Sequence, residues 1–345
     1  MSAVIVVLGV LTVGCSSGDD RSADVGESST STTSTTTTTS TTLPSGPCSL
    51  EPDTKVGDLT FGELQRYELN NGESIPTFAQ FLDLANEARV GVLPEIKYFP
   101  AADGGGPVPW TTAQLDEYRS MLTARSDLSQ VLIGSFQEPA LAYFAANQPE
   151  WTRIWFRGIG NGDAFAPPTV DEMRSRAPSA NALGVLNVLY FGGVFPADQQ
   201  TYDVPKAFAD ASIPVYVWFN VTTGGDSADG GEPFGGAVPS PGWTEIAAIQ
   251  PRNVDWIATD RPAEYQAWST SPAAPNPAPK MVAHRGGGED GVSENSLGAF
   301  RKAVADGAEV LETDIQWTKA TPEDPNGVPV LMHDQTINRT ARCRP

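Results

Sequence analysis

Basic side chains are scarce in this sequence: Lys and Arg number 22 against 42 Asp and Glu, a formal net charge of −20. A surface this acidic lacks the basic patch that sequence-independent nucleic-acid binding requires. It keeps an exported protein soluble by self-repulsion, but it also repels anionic substrates. Any phosphate site here must therefore bring its own local cations or a bound metal. Histidine is rarer still, with His284 and His333 the two in 345 residues. The apolar run from Met1 to Cys15 is too short for an ordinary membrane-spanning helix, and no other candidate span appears. The run of glycines at 286–288 lacks the spacing and helix context of a nucleotide-binding loop.

The chain is long enough for one large barrel or two average domains. Residues 1–15 read as the apolar core of a secretory leader, and their Leu-Thr-Val-Gly-Cys15 ending resembles a bacterial lipoprotein signal with Cys15 as the lipidated residue. No Lys or Arg precedes the run, and Thr12 stands where a larger aliphatic residue is usual. Residues 16–47 are dominated by Ser and Thr and bury too little apolar surface to order themselves, so they read as a tether. A Pro-rich linker follows at 269–280. The expected location is the outer face of the cell membrane, or secretion.

Between tether and linker, residues 48–268 alternate β-rich runs with helical patterns, the signature of β/α units and a parallel sheet. The runs are Val90–Lys97, Val131–Phe136, Arg153–Arg157, Gly184–Phe191, Ile213–Asn220 and Val254–Thr259. Helical spacing is clearest over Thr77–Ala88, with Phe78, Phe81, Leu82 and Ala85 on one face. Residues 281–345 add strands at Met281–Arg285 and Glu309–Trp317, with a helix between them capped by Ser293 or Asn295. Val328–His333 is expected to form a hairpin with Glu309–Trp317. Six parallel strands plus two predict an α/β fold, a closed (β/α)8 barrel.

Strand residues two apart point the same way. Glu312 and Asp314 therefore share a face, as do Glu95 and Lys97. Carboxylates inside apolar strands are costly unless paired or coordinating a cation. Three of them at a barrel mouth suit a hard divalent ion, Ca²⁺ or Mg²⁺; surface positions or buried salt bridges are the plain alternative. His284 and His333 both fall at strand ends, where this fold gathers its catalytic groups, and each precedes a charged residue, Arg285 and Asp334. Two imidazoles can serve as general base and general acid. Arg285 can hold a phosphate bidentately and Lys97 can add a point charge.

Several spaced motifs then resemble one family. Ala283-His-Arg-Gly286, Glu294-Asn-Ser-Leu-Gly-Ala-Phe300, Glu309-Val-Leu-Glu-Thr-Asp-Ile-Gln316, Gly327-Val-Pro-Val-Leu-Met-His-Asp334 and Thr336-Ile-Asn-Arg-Thr340 are similar to the front of the glycerophosphodiester phosphodiesterases. Leu59–Leu64, Ile75–Thr77, Pro94–Lys97, Ser135–Phe136, Pro214–Trp218 and Thr259–Pro262 resemble the remainder of the same family. The rear of the family pattern comes first and the front last, without overlap, so a circularly permuted barrel is expected, with the linker joining the family's original ends. A broken tandem arrangement of two incomplete barrels is the rival topology.

The resemblance implies hydrolysis of small-molecule glycerophosphodiesters to glycerol 3-phosphate and an alcohol; a monomer is expected. It implies metal binding by Glu312, Asp314 and Glu95, phosphate binding by Arg285 and Lys97, and acid–base work by His284 and His333 in either assignment. Asp334 is expected to orient His333, and Glu294 to support Arg285 or the metal. Trp218 reads either as facing the substrate or as a core aromatic, and residues 221–242 as a lid or a surface loop. With Cys15 lipidated, Cys48 and Cys343 remain; in family order they fall a few residues apart and are expected to form a disulfide. The rival functions are a phospholipase-type diesterase for inositol or sphingolipid head groups and a non-catalytic surface-binding lipoprotein.

Overall fold

Hydrophobic strands and capped helices alternate through most of the chain in a computed structural model that describes residues 48, 53–99, 107–157, 167–186, 203–218, 254–272, 274, 276–287 and 292–345. The leader 1–15 with Cys15, the tether 16–47 and the 221–242 insertion lie outside the described residues. In chain order the strands are β1 (Tyr67–Leu69), β2 (Gly91–Ile96), β3 (Leu132–Ser135), β4 (Thr152–Arg157), β5 (Ala182–Leu186), β6 (Val215–Trp218), β7 (Trp256–Thr259), β8 (Lys280–Ala283), β9 (Val310–Trp317), β10 (Pro329–Leu331) and β11 (Ala341–Cys343).

Strands β2 to β9 pair in parallel, each with its neighbour in chain order from β2 to β8. The ring closes because β9 takes both remaining edges. Val310 is in register with Val282 of β8 and with Gly91 of β2. The result is an eight-stranded parallel TIM barrel, as the alternating pattern predicts. Strand β10 adds to β9 antiparallel, with Pro329 opposite Trp317.

The two faces of the strands build two cores. Leu93, Leu132, Ile154, Phe156, Tyr216, Trp256, Val282 and Val310 fill the barrel interior. The alternate residues, Val92, Ile133, Trp155, Leu183, Val217, Ile257 and Leu311 among them, pack outward against the helices. Helix Phe78–Ala88 contributes Phe78, Phe81, Leu82 and Ala85 to that layer, and Thr77 caps it in a reciprocal pair with Gln80. Thr111 and Gln114 repeat the device on helix Thr112–Thr123; each such cap stabilises by about 1 kcal/mol. Phe81 meets Phe300 of helix Leu297–Ala305 edge-on, with ring centroids 4.7 Å apart. An early and a late segment of the chain are thus adjacent in the outer layer.

A third apolar cluster joins an N-terminal arm to the end of the chain: Val56, Leu64, Tyr67, Leu69 and Ile75 pack against Val330, Met332, Ile337 and Ala341. Strand β1 pairs antiparallel with β11. Val56 N donates to Gln335 O at 3.1 Å and Ile337 N to Thr54 O at 3.0 Å. Cys48 and Cys343 are disulfide-bonded, with their Cα atoms 5.8 Å apart.

Three expectations from the sequence need correction. Strand β8 ends at Ala283, and His284–Gly286 form a tight 3₁₀ turn with Arg285 at φ +52°. Strand β10 ends at Leu331, so His333 lies in the turn beyond the hairpin strand rather than on it. Ser296, not Ser293 or Asn295, caps the following helix by accepting from Ala299 N. Asn295 instead takes φ +55° and turns its amide into the barrel mouth. The linker also rests partly on the barrel, since Ala274 and Ala278 pack on the outer core.

Candidate active site

Register brings the carboxylates together. Glu95 of β2 lies directly opposite Asp314 of β9, and Glu312 is two residues back on the same inward face. The inward residues next to them, Leu93 in register with Glu312 and Val310 two residues before it, are apolar. Glu95, Glu312 and Asp314 are all buried, and each offers an oxygen such that all three atoms lie within 4.8 Å of one another. Lys97, two residues beyond Glu95, puts Nζ 2.9 Å from Asp314 Oδ1 and 3.8 Å from Glu95 Oε1.

Burial and crowding set their charges. Burial opposes ionisation of Asp314, but Lys97, His333 and Arg285 outweigh it and hold the carboxyl well below its usual range. Glu312 is pushed up to about 8, first by burial and then by the Asp314 charge. Glu95 rises to about 7 through burial, with Lys97 pulling the other way.

The turn after β8 supplies a guanidinium cation, Arg285. Arg285 N donates to Glu312 Oε2 at 2.8 Å, and its Nε lies 3.2 Å from Asp314 Oδ2. Its Nη1 reaches Glu294 Oε2 at 3.2 Å. Gly286 and Gly287 both sit at φ +83°. A Cβ on Gly286 would meet the Ala299 backbone at 2.9 Å, so the turn seats against the next helix only with glycine there. Asn295 Nδ2 donates to Asp314 Oδ2 at 3.0 Å and Thr313 Oγ1 donates to Asn295 Oδ1 at 2.7 Å, which fixes the β9 carboxylate from the other side.

Each histidine is held through Nδ1 by a carboxylate. His284 Nδ1 lies 2.6 Å from Asp260 Oδ1, just past β7. His333 Nδ1 lies 2.6 Å from Asp334 Oδ1. With Nδ1–H given to a carboxylate, Nε2 is the atom left to accept or donate a proton. Burial alone would lower the His284 pKa, but the Asp260 charge and contact, with Glu312 adding, raise it above the ordinary imidazole value. Burial and the Lys97 charge push His333 down to about 4.

The donor set fits a hard divalent cation. Asp314 Oδ1 is buried and makes no well-directed hydrogen bond. The mouth gathers the carboxylates of Glu95, Glu312, Asp314, Asp260, Glu294 and Asp334 against the basic side chains of Lys97, Arg285 and Arg339. Oxygen ligands of one sign, desolvated and in excess, are what Ca²⁺ and Mg²⁺ take.

His284, His333, Arg285, Lys97, Glu312, Asp314, Glu95, Glu294 and Asp334 thus converge at the C-terminal mouth of the barrel, although Glu95 and Lys97 lie some two hundred residues from the others in sequence. Trp218, half-buried at the mouth end of β6, packs edge-on against Phe156 with ring centroids 5.8 Å apart. Three residues of the site went unassigned at the sequence level: Asp260, Asn295 and Arg339. Asp260 had a usable signal, since it directly follows a parallel strand at the end where this fold places its chemistry.

Comparison with known proteins agrees with the geometry. Residues 284–344 match the Glycerophosphoryl diester phosphodiesterase family. Glycerophosphodiester phosphodiesterase 1 of Rattus norvegicus is 49% identical over 59 residues, which is 17% of this chain and 16% of that relative. The glycerophosphodiester phosphodiesterase of Caldanaerobacter subterraneus subsp. tengcongensis is 40% identical over 60 residues, 17% of this chain and 22% of the relative. The chain thus spans under a quarter of the length of either relative. Among solved structures, a glycerophosphodiester phosphodiesterase from Parabacteroides distasonis aligns over 61% of this chain and 70% of its own, at 19% identity and a TM-score of 0.40. Over residues 284–344 the chain is thus similar to the glycerophosphoryl diester phosphodiesterase family.

Proposed function

We propose that this protein hydrolyses glycerophosphodiesters to glycerol 3-phosphate and an alcohol with the help of one divalent cation, Ca²⁺ or Mg²⁺. The observation that carries the reading is the buried Glu95–Glu312–Asp314 cluster flanked by two His–Asp pairs. The three carboxylates would hold the cation, which when bound supplies Lewis-acid stabilisation of charge on a phosphate oxygen. Arg285 and Lys97 orient the diester and offset its charge. His333, kept neutral by burial and Lys97, takes a proton from the attacking water as the new P–O bond forms. His284, whose hold on a proton Asp260 strengthens, donates it to the alkoxide oxygen as the old P–O bond breaks. Asp260 and Asp334 hold the two rings in the tautomer this exchange requires.

The test is release of glycerol 3-phosphate from glycerophosphocholine and glycerophosphoinositol by the purified protein, with Ca²⁺ or Mg²⁺ supplied. Glu312→Gln is expected to abolish the cation-dependent rate. Turnover of intact phospholipids alone would overturn the substrate class, and no turnover by a folded sample would favour a binding protein.

Two further readings rest on the same assignment. The family's order is circularly permuted in this chain; the placement of β9 between β8 and β2 supports this. The protein works outside the cytoplasm, anchored at Cys15; the Cys48–Cys343 pair supports this, because such bonds persist in oxidising compartments. Radiolabelled fatty acid should enter the wild-type protein in cells and not a Cys15→Ser variant.

A further inference from the structure

Glu294 and Asp334 each support a different part of the site. Glu294 holds Arg285, and Asp334 holds His333. One side chain spans them. Arg339 Nη1 donates to Glu294 Oε2 at 3.0 Å and Nη2 to Glu294 Oε1 at 2.6 Å, a two-pronged grip on that carboxylate. Its Nε donates to Asp334 Oδ2, the oxygen that His333 does not use. The guanidinium therefore links two chains of contacts, one through Asp334 to His333 and one through Glu294 to Arg285 and on to Asp314.

Its own position is set from outside the barrel. Asn70 Nδ2 donates to Arg339 O at 3.0 Å and Asn70 N to Thr340 O at 3.0 Å, so the N-terminal arm fixes the backbone that carries the guanidinium. Lysine could not replace it. Three N–H groups in one plane reach two carboxylates at once, which a single ammonium on a flexible stem cannot do.

We propose that Arg339 is a positioning residue for both halves of the site: it sets the Asp334 carboxylate that orients His333 and the Glu294 carboxylate that orients Arg285. It does not touch substrate. This inference rests on the diesterase reading above, and its test includes a measurement that needs no turnover.

With two histidines in the whole chain, ¹⁵N-histidine NMR yields two ring systems. In the wild type the His333 Nδ1–H is expected as a slowly exchanging signal in a single tautomer. Arg339→Ala should broaden or lose that signal and mix the tautomers of His333 while leaving those of His284 unchanged. In the glycerophosphocholine assay, Arg339→Ala should lower kcat about 10- to 100-fold, the usual cost of removing a group that orients a catalytic side chain. Added guanidinium should restore part of the rate. Asp334→Asn combined with Arg339→Ala should cost little more than the worse single variant, because both act on His333. Arg342→Gln is the control: Arg342, on the same C-terminal segment as Arg339, pairs with Glu68 of β1 and is outside the site, so this variant should keep wild-type kcat.

An unchanged His333 spectrum in Arg339→Ala overturns the proposal, as does a kcat within twofold of wild type. If Arg339→Ala does not fold, Arg339→Lys keeps the charge without the fork. It should show the same His333 defect, and a wild-type spectrum from it overturns the proposal. A wild type inactive on every diester would sink the proposed function, and the NMR comparison would still decide the role of Arg339.

Discussion

His284 and His333 share one support, a carboxylate at Nδ1, but face different charges. Asp260 raises the first, whereas burial and Lys97 lower the second. In the proposed mechanism that contrast is the ground for taking His284 as acid and His333 as base, which can be tested by leaving group. His284→Gln should lose about 10²- to 10⁴-fold on an alkyl diester. It should lose far less on a 4-nitrophenyl diester, whose leaving group needs no proton. His333→Gln should lose similarly on both. Equal losses for His284→Gln on the two substrates would reverse the assignment. The carboxylate cluster makes a second prediction. Glu312 and Glu95 titrate near about 8 and about 7 before any cation binds, and ligands must shed protons to bind metal. Cation affinity, measured by calorimetry, should therefore weaken as pH falls through that range.

Among the elements, the barrel interior is shaped by complementary sizes. Phe156 of β4 lies between Gly134 of β3 and Gly184 of β5, where a Cβ would come within 2.4 Å and 2.3 Å of its ring. The small residues leave the space that one large ring fills, the alternation close packing requires. In the outer layer, Phe81 and Phe300 join helices Phe78–Ala88 and Leu297–Ala305, both rings fully buried. Phe300→Ala should cost about 3–5 kcal/mol, the range for truncating a buried ring. Urea denaturation would measure it, and a loss under about 1 kcal/mol would mean the two helices do not bear on each other.

For the whole molecule, the proposed function depends on closure. Glu95 comes from β2, and Glu312 and Asp314 come from β9. If the site assembles within one chain, co-expressed Glu95→Gln and Glu312→Gln chains should remain as inactive as either alone. Restored turnover would show that the two segments are exchanged between copies. The terminal staple acts at the same scale. Cys48 and Cys343 are 295 positions apart in sequence, so their bond restricts nearly the whole unfolded chain. Replacing both with Ser should cost about 2–5 kcal/mol of stability by chemical denaturation.

Much of this was legible in sequence because it follows from period and composition. The 2.0-residue alternation placed Glu312 with Asp314 and Glu95 with Lys97 on shared faces, and the β/α rhythm predicted the barrel. Two histidines at strand ends stood out because the chain has no others. Local rules did not reach the turns that carry several of these residues. Arg285 and Asn295 take left-handed conformations that period-based reading does not see, and His333 left its expected strand for the turn beyond it. The sequence by itself therefore determined the strands, their inward faces and the chemical types of the site. Tertiary structure decided which residues meet: that β9 closes between β8 and β2, that Asp260 faces His284, and that Arg339 spans Glu294 and Asp334. The reason is physical: strand pairing and ion pairing act through space, between residues that sequence separates by more than two hundred positions, and neither leaves a periodic trace along the chain.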